Sequence, residues 1–186
     1  MSARPNRLRA VRLPALLVSC AMLTATTSCS SGGRDYSIPA KFCHISMNPD
    51  VMAPMLRDGK SVEQNSRGQD FTTTLKSITC NLRVDKKDTI YADVARSEEF
   101  LDPRDPIESY KFKNLEVVKG LPFDMTVLGD WSIIVDTKCN GPKTPRVRPY
   151  LVFSAGSEDI VQRRKDIVAF GKAYTLALKK ELGCTV

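Results

Sequence analysis

Six cysteines, Cys20, Cys29, Cys43, Cys80, Cys139 and Cys184, constrain this 186-residue chain more than any other feature. No two of them form the Cys-x-x-Cys pair on which structural zinc sites are usually built. Cysteines spread this widely act as crosslinks between distant segments in an oxidising compartment, where an odd thiol is reactive and disfavoured. The fold therefore depends on how many of the six remain available to pair.

The N-terminus answers that. Arg4, Arg7, Arg9 and Arg12 come with no acid, and "LPALLVSCAMLTA" (Leu13 to Ala25) then carries no charge. A basic region, a short apolar run and small residues make a secretory signal. The run is too short for a membrane span, which needs about 20 apolar residues. The arginines are never adjacent, which favours the general route over a twin-arginine one. Cys29 follows in "TTSCSSGG". This arrangement resembles the lipobox of bacterial lipoproteins, in which the chain is cut before a cysteine that then carries a thioether-linked diacylglycerol. Thr27 and Ser28 supply the small residues, whereas Thr26 stands where that pattern has leucine. Cys20 has the better-placed Leu17, but cutting there would leave "AMLTA" on the mature protein. Cutting before Cys29 removes Cys20, and lipidating Cys29 leaves four cysteines, enough for two disulfides. The expected layout is a signal over 1–28, a lipid-anchored flexible tether over 29–37 and a single domain over 38–186. The expected location is the extracytoplasmic face of the cell membrane. A plain secretory cut near Ser28 is the alternative.

Residues 29–186 number 158 and carry 24 basic and 21 acidic side chains, a net +3 rather than the whole chain's +7. That length supports one domain with a real core. The basic character belongs mostly to the signal, so no nucleic-acid partner is expected.

"SMNPDVMAPML" (46–56) predicts a short helix, with Asn48 as cap and Pro49 where a missing N–H costs nothing. "VEQNSRGQDF" (62–71) reads as loop. "SITCNLRV" (77–84) alternates apolar and polar residues, as does "TIYADVARS" after the turn "DKKD", which predicts a hairpin. Residues 98–110, with two closely spaced prolines, read as loop. "LEVVKG" and "FDMTVL" are weaker strands, "WSIIVDTKC" is a strong one, and "NGPKTP" reads as loop. "VRPYLVFSA" is a strand whose Pro149 suggests an edge or a bulge. A helix is expected over about 158–182, capped by Ser157 and stopped at Gly183. Its core stripe is Ile160, Ile167, Gly171, Tyr174 and Leu178, widened by Val161, Val168 and Ala177.

This order predicts an α+β fold: an antiparallel sheet with a short N-terminal and a long C-terminal helix packed on it, tied by two disulfides. Four cysteines allow three pairings. Cys43–Cys80 and Cys139–Cys184 each tie a terminal helical segment to a nearby strand end, whereas the other pairings join opposite ends of the chain.

A lipobox cysteine, "IPAKFCHISMNPDVMAPMLRDG", a cysteine-bearing strand, a Trp-containing strand ending in cysteine and a final helix closing on Gly183-Cys184 occur in that order. Over most of the mature chain this is similar to the small actinobacterial secreted lipoproteins of unknown function. The resemblance implies location and architecture and brings no catalytic residues.

No motif points to catalysis, and no cofactor or metal is expected. His44 is the sole histidine, and no Gly-x-Ser-x-Gly elbow supports a triad built on it. Trp131, Tyr150 and Tyr174 could line a ligand cleft between sheet and helix, but their strand and helix spacing favours core packing. Two function classes follow. The first is a non-catalytic extracytoplasmic lipoprotein that binds a ligand or partner. The alternative is a cell-wall hydrolase using loop carboxylates such as Asp102 and Asp105, or Glu98 and Glu99. Lys138, Lys143, Arg146 and Arg148 surround one loop, with Asp136 the only nearby acid. They form a candidate contact for anionic lipid or an anionic wall polymer.

Overall fold

Polar–apolar alternation along β-strands gives the described residues one main sheet. In a computed structural model the described residues are 33–67, 77–100, 102, 104–105, 109, 111–141 and 144–184. Strands β1 (Lys41–Phe42) and β2 (Ile45–Ser46) form a small hairpin, followed by α1 (Pro49–Met52) and a 3-10 turn, Ala53–Met55. Then come β3 (Val62–Arg67), β4 (Ser77–Val84), β5 (Lys87–Ser97), β6 (Glu116–Val117), β7 (Met125–Leu128), β8 (Ser132–Gly141) and β9 (Thr144–Phe153). Helix α2 (Ile160–Glu181) ends the fold. Strands β3 to β9 make one seven-stranded sheet in the order β3-β4-β5-β9-β8-β7-β6, with every neighbouring pair antiparallel. The α+β architecture expected from the sequence is the observed one.

The β4–β5 hairpin turns at Asp85 and Lys86, with φ of 48° and 64°. Successive positive φ values give a hairpin turn the twist of its strands. The Asp85 carboxylate accepts the Lys60 and Ser61 N–H groups, which hold its pKa below the usual range. The predicted loop over 62–71 is corrected at its start. Residues 62–67 pair with β4 as an edge strand, and their polar side chains suit an edge that faces water. Gln64 earns its place by clamping β1–β2: its Oε1 accepts the Cys43 N–H and its Nε2 donates to the Lys41 carbonyl. Pro149 is neither at an edge nor at the bulge, which falls between Lys138 and Gly141; it lies in β9, the central strand. Its neighbours pair Ile134 with Tyr150 and Thr137 with Val147, so the β8–β9 ladder is interrupted where proline lacks a donor. "NGPKTP" is mostly strand as well, for β8 runs to Gly141 and β9 starts at Thr144.

Helix α2 covers one face of the sheet. Ile167, Phe170, Tyr174 and Leu178 are fully buried with Phe42, Met52, Leu82, Ile133, Leu151 and Phe153. The rings of Phe42, Phe153 and Tyr174 stand 5.2–6.2 Å from that of Phe170. Gly171 permits this approach, since a Cβ there would lie 2.8 Å from Ile133 Cδ1. Two helix expectations are corrected. The cap is Asp159, whose carboxylate accepts the Val161 and Gln162 N–H groups, with Ser157 bonded to the Asp159 N–H one step earlier. Ile160 and Val161 are exposed, because the helix meets the sheet only from Arg163 onward. Gly183, at φ 64°, stops the helix as expected.

Both disulfides are present as expected: Cys43–Cys80, with Cα atoms 5.7 Å apart, and Cys139–Cys184, at 4.6 Å. The second ties the end of α2 to the end of β8. The first ties the β1–β2 turn, rather than a helical segment, to the middle of β4.

Tyr174 is wholly buried, and its hydroxyl has no hydrogen-bond partner among the described residues. Burial drives its pKa far up. A buried hydroxyl left unpaired carries its desolvation penalty without return. Tyr174→Phe is expected to raise stability by about 1 kcal/mol, read as a later guanidinium midpoint with unchanged slope. A loss of that size would reveal a partner for the hydroxyl.

Candidate functional site

The spacing of four helix residues builds the site. Lys165, Val168, Ala169 and Lys172 recur at i, i+3, i+4 and i+7, one stripe beside the buried face of α2. Facing them are Val118 and Leu121 from the β6–β7 connection and Leu128 from β7. Between the two sides runs a groove of about 480 Å³, also bordered by Glu116 and Arg164. Its floor and walls are aliphatic, and its charged residues are three cations and one acid.

Consecutive arginines tie the groove's end to the sheet. Arg164 donates to Glu116 Oε2 at 2.7 Å, to Asp130 Oδ1 at 3.0 Å and to the Asn114 carbonyl at 3.0 Å. Arg163 is buried, with its guanidinium 3.6 Å from the Trp131 ring centre. It donates to the carbonyls of Asp130 and Ser157. Glu116 and Arg164 thus neutralise each other, while Lys165 and Lys172 are exposed and make no ion pair among the described residues. The sequence pattern by itself marks neither arginine as part of a site. The available signal was Arg163, a charge at i−4 from Ile167, inside the core register.

The expected core aromatics divide. Tyr174 is in the core. Tyr150 lies on the opposite sheet face, edge-on to Phe112 at 6.0 Å, and Trp131 is 39% exposed, its ring given over to Arg163.

The basic loop is corrected. Arg146 is buried, not part of an exposed surface: its Nε donates to Asp136 Oδ1 at 2.7 Å and its Nη2 to Asp136 and Asp124. Asp124 is a second nearby acid that linear distance concealed. Arg148 is half-buried, Lys138 is exposed, and Lys143 lies outside the described residues, as do Cys20 and Cys29. The tether expected over 29–37 is described from Gly33 onward. Arg34 donates to the carbonyls of Ala53 and Leu56, and Tyr36 to that of Arg57, so residues 34–36 are docked on the domain.

The other candidates are accounted for locally. Asp102 is held by Arg104, whose guanidinium lowers its pKa to about 2, far from the raised value a general acid needs. Asp105, Glu98 and Glu99 are exposed. His44 is exposed, with Nε2 3.3 Å from Ser66 Oγ. No three potential metal ligands converge among the described residues. Asp93 is half-buried on the face away from α2. Desolvation raises its pKa against the opposing pull of Lys111 and Arg148.

No family model, curated protein or solved structure matches this chain.

Proposed function

We propose that this protein is an extracytoplasmic, lipid-anchored module that binds a ligand without transforming it. The groove carries the reading. A concave aliphatic surface with a few charged groups at its rim is the usual form of a small-ligand site. Its one carboxylate, Glu116, accepts from Arg164 at 2.7 Å. Two widely spaced disulfides suit an oxidising compartment. A lipidated Cys29 makes the membrane the protein's first partner. Five residue steps separate Cys29 from the docked Arg34, a reach of at most about 18 Å at 3.3–3.6 Å per residue. No helix among the described residues is long and apolar enough to cross a bilayer.

The test is direct. Produced in an actinobacterial host, the wild-type protein should partition into detergent and take up a fatty-acid label, and Cys29→Ala should abolish both. Unchanged partition and labelling in Cys29→Ala would remove the anchor from this proposal.

A further inference from the structure

We infer that the groove between the β6–β7 hairpin and α2 binds a single-chain fatty carboxylate, its hydrocarbon along the groove and its head group at Lys165 and Lys172. The inference rests on the reading of the groove as a binding site and adds the chemistry of its occupant.

Three features select that chemistry. Val118, Leu121, Leu128, Val168 and Ala169 offer no strong polar partner from their side chains, so the buried part of the ligand must be hydrocarbon. At about 480 Å³ the groove lies within the range of single small-ligand sites, about 300–1,000 Å³, and suits one chain. The charge at the rim is positive: Arg164 is cancelled by Glu116, which leaves Lys165 and Lys172. These two lie about 10 Å apart along the helix axis, at a rise of about 1.5 Å per residue. Their stems can run along the apolar wall while both ammonium groups stay at the water boundary, where a carboxylate head would sit. A protein partner would need roughly 800 Å² of buried surface on each side, far more than this groove presents.

The experiment is calorimetric titration of the full-length, oxidised chain with decanoate, dodecanoate and tetradecanoate below their micelle concentrations. Dodecanol and dodecyltrimethylammonium serve as neutral and cationic controls. Affinity should tighten two- to about fourfold per added methylene, as expected for partial to full burial of each group. Lys165→Glu/Lys172→Glu should weaken dodecanoate about tenfold and leave dodecanol unchanged. Ala169→Trp, on an exposed helix position, should fill the groove and abolish binding with far-UV circular dichroism intact. Dodecanoate affinity that is unmoved by Ala169→Trp, or equal affinity for the cationic amphiphile, overturns the inference. Cys29→Ala should titrate like wild type, so loss of the anchor and loss of the groove ligand are separate results. Release of dodecanoate from a dodecanoyl glycerophosphate would overturn the non-catalytic reading, while Ala169→Trp still decides the groove.

Discussion

Replacing Cys139 and Cys184 together by alanine should cost the fold about 4 kcal/mol, and replacing Cys43 with Cys80 about as much. The bridged residues are 45 and 37 positions apart, so each bond removes a large share of the loop entropy of the unfolded chain. The cost has a packing component too. Cys139 is fully buried against Val147 and Cys184, and no other covalent link holds the end of α2 to β8. At about 2–4 °C per kcal/mol for a domain of this size, either pair should lower Tm by roughly 8–16 °C. Guanidinium unfolding of the oxidised protein and the two double variants measures both. A loss below about 1 kcal/mol would mean that the unfolded chain is already compact enough to need no crosslink.

Asp136→Ala should be equally damaging, at about 3–5 kcal/mol. Asp136 is wholly buried and bonded by two nitrogens of Arg146, whose side chain is only 10% exposed. Removing the carboxylate leaves that guanidinium buried with the partly exposed Asp124 at 3.2 Å and the Phe100 ring at 5.2 Å. Most of the cost therefore comes from an uncompensated charge rather than from the lost attraction. Arg146→Met with Asp136→Ala removes both charges and should recover about half of the loss or more. Urea unfolding of the two single variants and the double variant completes the cycle. Additive losses would show that the two side chains do not depend on each other.

Local patterns were legible where a residue's environment repeats along the chain. Period-two alternation located β4 and β5, and the cap at Asn48 and the stop at Gly183 marked helix ends because those effects act within one turn. Strand β3 was illegible because it is an edge: Glu63, Gln64, Asn65 and Ser66 are all exposed, and only pairing with β4 makes them a strand. Pro149 misled for a related reason. Proline excludes a strand from the middle of a sheet only where its missing donor has no interruption to occupy. Ile160 and Val161 obeyed the helix period but stand beyond the end of the surface that α2 covers.

The sequence by itself determined the α+β class, the β4–β5 hairpin and the amphipathic character of α2, and it favoured the observed partition of the two disulfides. Each of these follows from short-range periodicity, capping or chain economy. Only the tertiary structure decided which charges are surface and which are interior. Arg146 finds Asp136 ten residues away and Asp124 twenty-two away, while Arg164 reaches Glu116 forty-eight residues back. The groove has the same origin. Lys165, Val168, Ala169 and Lys172 form an ordinary stripe flanking the core face until the β6–β7 hairpin, some 40 residues earlier in the chain, supplies its second wall. A site with walls so far apart in sequence has no local signature, because the energy that brings them together comes from the sheet and the core and not from the groove itself.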